Sequence, residues 1–334
     1  MVIPALFVGG LFYVTFDRQP EPPSLVVVQG EALGTTWMVK SVEENSTEAE
    51  QAIRDIAEGA LSEVDVQMST YRPDSDLMRV NQTQTTESIP IGRELQMVVS
   101  EALDIGLASE GAFDVTVGPV VRAWGFGPDD HRTPPEEGIM EALRPSVGQD
   151  KIRIRDGTLQ KTHEKVDVDL SAIAKGYAVD LVVERLLASG RDNLMAEVGG
   201  EIVARGVNSQ GQHWRLGIEK PSADGREVHE VVVLRNQAMA TSGDYRNYYE
   251  VDGERVSHLI DPRTLRPIAH RLASVTVVAD RCSTADGWAT ALSVLGETEG
   301  VEVANEQGIA ALFIVREPGG SFATQRSTAF DALK

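Results

Sequence analysis

The 334-residue chain carries 31 Lys and Arg against 51 Asp and Glu, a formal charge of −20. That balance argues against a nucleic-acid binder, whose footprint is a basic face. Its 42% hydrophobic and 25% charged content is that of a folded chain, and a single cysteine, Cys282, excludes an intramolecular disulfide framework and any Cys-rich zinc or iron–sulfur site. The length suits two domains or one elaborated α+β domain.

Residues 1–16 contain no charged side chain and are followed by Asp17, Arg18 and a Pro-rich stretch with Pro20, Pro22 and Pro23. The run is shorter than the roughly 20 residues of a membrane span and fits a signal h-region or short anchor, although the basic n-region is missing. A buried N-terminal strand is the other reading. The expectation is a signal or anchor segment with a stiff tether over residues 1–24, and one folded domain over residues 25–334.

From Leu25 the pattern alternates strand and helix with no internal repeat. Residues 25–42 predict two strands around Gly34, residues 48–68 an amphipathic helix, and residues 69–81 a loop. A second helix is predicted over residues 93–111, closed by Gly111. The Gly- and Pro-rich residues 115–138 predict a long surface excursion. Asp156-Gly157 and Asp252-Gly253 predict hairpins. Strands are expected at residues 197–206, 213–221, 229–236, 255–262 and 274–280, helices at 283–296 and 300–307, and a final hairpin through Pro318-Gly319-Gly320. So many hairpin-linked strands favour an α+β fold with mixed or antiparallel sheets over a doubly wound parallel one.

The chain has no phosphate loop, dinucleotide fingerprint, HExxH or nucleophile elbow, and its six histidines are not at zinc-ligand spacings. Four segments invite chemistry. In residues 166–170 a strand pattern puts Val166, Val168 and Leu170 on one face and Asp167 and Asp169 on the other, before a helix expected to start near Ser171 with Lys175 in its second turn. Such a helix start can receive an anion, with Lys175 as counter-charge. Equally, Asp169 can be a plain helix cap and Lys175 a solvated residue. Asp286 and Thr290 lie four apart on one helical face beside Ala289, offering two hard oxygens that suit Mg²⁺, although Asp286 also fits as a helix N-terminal charge. His258 precedes an Asp-Pro turn, where it can be a structural residue or a general base. Thr241, Ser242 and Gly243 read as an ordinary polar turn.

Taken together, GTTWMVK, MSTYRPDSDLMRVN, GAFDVTVGPVVRAWGFG, VDLSAIAKGYAVD, EVGGEIVARG, ATSGDYRN, HLIDPRT and CSTADGWATAL follow in the order and spacing of one family, over about residues 30–315. The chain thereby resembles the ApbE family, the FAD:protein FMN transferases. The resemblance implies an ApbE-like, T-fold-like α+β fold with FAD in a central cleft. It also implies an enzyme that moves the FMN half of FAD onto a Thr or Ser hydroxyl of an acceptor protein and releases AMP.

On the same ground the Mg²⁺ ligands fall on Asp286 and Thr290, with backbone oxygens of Ala172 and Ala289. FAD contacts fall on Met38, Tyr71, Ala112, Phe113, Asp114, Asp169, Lys175 and Ile260, and His258 looks like the catalytic base. The Gly199-Gly200 pair suits close approach of backbone to ligand. The implied acceptor is a subunit of a quinone reductase or a related electron-transport complex, on the periplasmic side of the inner membrane. A Mg²⁺-dependent FAD pyrophosphatase and a non-catalytic flavin-binding protein are the competing readings. One residue departs from the family pattern: Leu265, where a Gly is usual, which puts the turn after His258 in question.

Overall fold

A computed structural model describes residues 24–127, 131–221, 227–244, 247–251 and 253–333. The expected leader, all but Ser24 of the 1–24 segment, and Asp252 of the second expected hairpin lie outside the described residues, as do Tyr245 and Arg246 of the ATSGDYRN block. Among the described residues no helix is long and apolar enough to cross a membrane.

Strands β1 (Leu25–Ala32) and β2 (Thr35–Val42) pair antiparallel across Leu33 and Gly34, whose φ of 53° and 72° give the two-residue turn that matches strand twist. Ser46 caps α1 (Thr47–Met68) by accepting from the Ala49 N–H, and Ile53, Ala57, Leu61 and Val64 turn to the core. The stretch expected as a loop over residues 69–81 is a loop only to Ser75. There the hydroxyl accepts from the Met78 N–H and starts α2 (Asp76–Gln82), which buries Leu77 and Val80. Strand β3 (Ser88–Pro90) and α3 (Arg93–Ala108) follow, and Gly111, at φ 81°, closes α3 by donating to the Gly106 carbonyl at 2.9 Å.

The expected surface excursion is only partly that. It contains α4 (Gly118–Ala123) and buries Val120 and Phe126, because Val117, Val120 and Val121 share one helical face; α5 (Ile139–Leu143) comes next. Strands β4 (Ile152–Arg155) and β5 (Thr158–Lys161) form the expected hairpin, with Asp156 and Gly157 at φ 47° and 75°.

After α6 (Ala174–Ala188) come β6 (Leu194–Val198) and β7 (Glu201–Arg205). Residues 197–206, expected as one strand, thus belong to a hairpin turned by Gly199 and Gly200 at φ 63° and 106°. Strands β8 (Trp214–Glu219), β9 (Val228–Leu234), β10 (Ala238–Gly243), β11 (Tyr248–Val251), β12 (Glu254–Ser257), β13 (Ile260–Asp261), β14 (Arg266–Pro267) and β15 (Leu272–Ala279) follow. Helix α7 (Cys282–Glu306) is broken at Gly296 (φ 82°, ψ −173°), which preserves the expected division into two helices. The chain ends in the hairpin β16 (Ala310–Arg316) and β17 (Phe322–Arg326), then α8 (Thr328–Asp331).

The main sheet runs β1-β2-β6-β7-β10-β15-β16-β17, and every pairing in it is antiparallel. Residues one apart go to opposite cores. Val275, Val277, Ala311 and Phe313 join α1, α6 and α7 on one face, while Val278, Leu312 and Ile314 meet Trp214, Ile218 and Leu234 of the β8–β9 hairpin and Phe330 of α8 on the other. Burial on both faces explains the nearly continuous apolar runs of β15 and β16. The fold is α+β, as the sequence predicts.

The turn at Leu265 forms without glycine. Leu265 sits at φ 59° with its N–H donating to the Asp261 carbonyl at 2.8 Å, and its own carbonyl accepts from Trp124 Nε1 at 3.0 Å. A left-handed leucine costs about 1–2 kcal/mol. Here its side chain is 1% exposed against Val120 and Ile260, a burial of comparable favourable size.

Helices α6 and α7 cross at backbone contact. A Cβ on Gly176 would collide with the Cys282 carbonyl. Asp180 of α6 accepts from the Cys282 and Ser283 N–H groups at 2.8 and 3.0 Å and so caps α7, whose own N-cap residue Arg281 supplies no capping acceptor. Gly176→Ala is expected to destabilise the protein by about 1–3 kcal/mol, the usual range for overpacking. Urea unfolding checks this, and an unchanged midpoint would show that the crossing is looser than described.

Candidate active site

Asp286 and Thr290 stand one turn apart on α7, as the spacing predicts. Their shared face turns toward the start of α6, where the Gly176 N–H donates to Asp286 Oδ2 at 3.1 Å. Asp286 is only 5% exposed. Burial raises its carboxyl above the usual carboxylate range, against the pull of Lys175 and of the Gly176 N–H.

Lys175 lies in the first turn of α6, not the second, because the helix starts at Ala174 and residues 171–173 form a turn. Its Nζ donates to Glu201 Oε1 at 2.5 Å. Burial would lower Lys175, but the Asp286 and Glu201 carboxylates outweigh it and hold the ammonium charged above its ordinary range. Burial and the Asp286 charge in turn push Glu201 up, with Lys175 opposing. Glu201 is the site residue that sequence reasoning missed. The signal was there in principle, since a glutamate directly after Gly199-Gly200 opens a strand whose same-face neighbour Val203 is fully buried.

Residues 166–170 do not form a strand, although the alternation holds: Val166, Val168 and Leu170 are buried. The segment has no ladder partner along its length. Instead Asn81 brackets Val168, donating to its carbonyl at 2.9 Å and accepting from its N–H at 2.8 Å, and the Asp169 N–H donates to the Val115 carbonyl. Asp169 does not cap the helix. Its Oδ1 accepts from the Ser171 N–H in a local turn, and the helix N-cap, Ile173, has no side-chain bond.

Opposite α6 and α7 stands His258, between β12 and β13. Its Nδ1 lies 2.9 Å from the Asn247 carbonyl, an acceptor only, so Nδ1 carries the proton and Nε2 the free lone pair. Burial lowers its pKa below the ordinary 6.5, with the Asn247 bond opposing. The Phe126 ring meets it edge-on at 6.1 Å.

These residues surround one cavity of about 370 Å³, whose wall includes Ala112, Phe113, Asp114, Asp169, Ala172, Lys175, Glu201, Thr241, His258, Ile260, Asp286 and Thr290. Asp114 is tied locally, its Oδ1 accepting from both the N–H and the hydroxyl of Thr116. Three predicted residues lie outside this wall. Ala289 is buried in α7 between Asp286 and Thr290. Tyr71, 71% exposed, borders a second cavity between α1 and the β1–β2 turn that shares Ser171 and Lys175 with the first. Met38 lines a third, between the main sheet and β8–β9, that shares Gly199, Thr241 and Gly243. The three cavities adjoin at these shared wall residues, with Met38 and Tyr71 bordering different ones.

Among the described residues no three His, Cys, Asp or Glu side chains are grouped to hold a metal ion. A soft metal that needs clustered thiolate or imidazole ligands therefore has no cage among these residues. What the wall does offer is hard oxygen: the buried Asp286 carboxyl and the Thr290 hydroxyl one turn apart, near Ala172, while the buried Glu201 and Asp114 carboxyls are engaged by Lys175 and Thr116. That set fits Mg²⁺, which takes one or two carboxylates and retains water.

The family model described as "ApbE family" matches residues 33–313. A Vibrio cholerae protein named FAD:protein FMN transferase is 44% identical over 301 residues, covering 90% of each chain. An Escherichia coli protein of the same name is 37% identical and covers 98% of this chain and 96% of its own. Among solved structures, the flavin transferase ApbE from Vibrio cholerae superposes with a TM-score of 0.86 at 42% identity, covering 93% of this chain and 99% of that one. The apo flavinyl transferase ApbE of Pseudomonas stutzeri gives 0.85 at 38% identity, with 93% and 97% covered. The fold, the converging site and these matches together place the chain in the ApbE family.

Proposed function

We propose that the protein transfers the FMN half of FAD to a Thr or Ser hydroxyl of an acceptor protein and releases AMP. The observation that carries the reading is the convergence of Lys175, Asp286, Thr290 and His258, from three separate segments, on one cavity. The relatives' shared name supports it.

Phosphoryl transfer asks a protein mainly for in-line positioning and cancellation of charge on the phosphate oxygens. Lys175 keeps a fixed ammonium in the cavity wall for that purpose. Asp286, Thr290 and the Ala172 and Ala289 carbonyls would hold Mg²⁺, which supplies two further positive charges beside the pyrophosphate. His258 Nε2 takes the proton of the acceptor hydroxyl as its oxygen bonds to the FMN-side phosphorus and the bond to the AMP phosphate breaks. Met38 and Tyr71 contact the far ends of FAD, Tyr71 through its ring face. Ala112, Phe113, Asp114, Asp169 and Ile260 line its middle. The acceptor is an electron-transport subunit of the quinone-reductase kind. Residues 1–24, through the uncharged run over residues 1–16, export or anchor the domain formed by residues 25–334 on the periplasmic side of the inner membrane. The mass of the mature N-terminus from membrane and soluble fractions tests that last point.

Purified protein incubated with FAD, Mg²⁺ and a Thr-containing acceptor domain should yield covalently yellow acceptor and AMP in equal amounts. AMP and FMN formed equally well without acceptor would replace transfer by hydrolysis. Asp286→Ala should lower turnover by at least about 100-fold, on the scale of losing a charge-stabilising group. AMP release near the wild-type rate would remove Asp286 from the metal site.

His258→Ala should bind FAD and lose transfer. Because burial depresses the imidazole, the base form prevails at pH 7, and kcat/KM should fall on acidification with a midpoint below 6.5. A midpoint above 7 would be incompatible with this histidine as the base.

A further inference from the structure

Lys175 interacts with two carboxyl groups. Its Nζ bonds to Glu201 Oε1 at 2.5 Å, and the Asp286 charge also favours the ammonium. Asp286 is engaged by the backbone of α6, through the Gly176 N–H, and by no hydrogen bond from Lys175 among the described residues. Glu201 reaches this point because the Gly199-Gly200 turn sets the β6–β7 register, pairing Glu201 with Val198 and putting it on the same sheet face as Val203, toward α6 and α7. It is 4% exposed, Lys175 is its one side-chain partner among the described residues, and its Oε2 has no hydrogen-bond partner there at all. A buried acid with an unmatched oxygen is costly, and a stability role toward the sheet would have satisfied it.

We infer that Glu201 is a positioning residue that holds the Lys175 ammonium away from Asp286 and so leaves the Asp286 carboxylate free to take a divalent cation. An ammonium beside a buried carboxylate competes directly with a metal ion for the same oxygens. With Glu201 present, Lys175 has a nearer partner. With it gone, the four-carbon side chain of Lys175 turns to Asp286 and occupies the ligand.

The inference rests on the Mg²⁺ reading above, and the test separates the two. The full chain, without FAD, is titrated with MgCl₂ by calorimetry, so that no turnover enters the measurement. Glu201→Gln keeps the shape of the side chain and should weaken Mg²⁺ binding roughly 10–100-fold, the usual effect of removing a group that orients a metal ligand. Lys175→Met combined with Glu201→Gln should bring the affinity back close to wild type, since the competing ammonium is gone. Near-ultraviolet circular dichroism confirms that each variant is folded.

Glu201→Gln binding Mg²⁺ as the wild type does would overturn the inference. So would a double variant as weak as Glu201→Gln, because Glu201 would then be a ligand itself. Wild-type protein that gives no Mg²⁺ signal, or Asp286→Ala that keeps it, would overturn the metal reading and this inference with it.

Discussion

The contact on which the site depends is the crossing of α6 and α7. Gly176 lets the two backbones touch, and each helix then hydrogen-bonds to the other: Asp180 of α6 accepts from the first N–H groups of α7, and Asp286 of α7 accepts from Gly176 of α6. Two side-chain carboxylates thus do the work of caps across an interface, not within a helix. The geometry puts Lys175, the neighbour of Gly176, and Thr290, one turn beyond Asp286, at the same cavity. The lone cysteine belongs to this crossing. Cys282 is fully buried and burial pushes its thiol far up, which keeps it an inert packing residue.

The acid excess of the chain and the anionic character of a pyrophosphate are reconciled at this same place. Beside the Lys175 ammonium stand two carboxyl groups, Glu201 and Asp286, a balance short of positive charge. On the proposed reading a dication held by Asp286 would reverse the sign at this point while the outer surface stays acidic. The charge of −20 therefore argues against a nucleic-acid partner but not against a nucleotide.

Much of the fold was legible because its signals are local. The Asp156-Gly157 hairpin, the amphipathic α1 and the closure of α3 at Gly111 each follow from residues within a turn or two of one another. The misreadings arise where the local signal is short or a distant group decides the outcome. Helix α2 is short and hides behind Pro73, and its start is marked only by the Ser75 cap. Residues 166–170 have the alternation of a strand but find one asparagine side chain in place of a neighbouring strand, which no sequence period can report. Leu265 keeps a left-handed turn without glycine because its side chain fills an apolar pocket formed by distant Val120 and Ile260.

What the sequence determined alone is the chemistry available: a carboxylate and a hydroxyl one turn apart, a lysine at a helix start, a histidine before an Asp-Pro turn, and an antiparallel α+β frame to carry them. Period and spacing are properties of neighbours along the chain, so they survive without coordinates. The tertiary structure alone decided which of these groups meet. It paired Lys175 with Glu201, 26 positions away, rather than leaving it to solvent. It also put Met38 and Tyr71 on two different cavities, each sharing wall residues with the one that holds Asp286. Those outcomes depend on sheet register and on a backbone contact between two helices. Both are long-range packing choices, made only when the whole core closes.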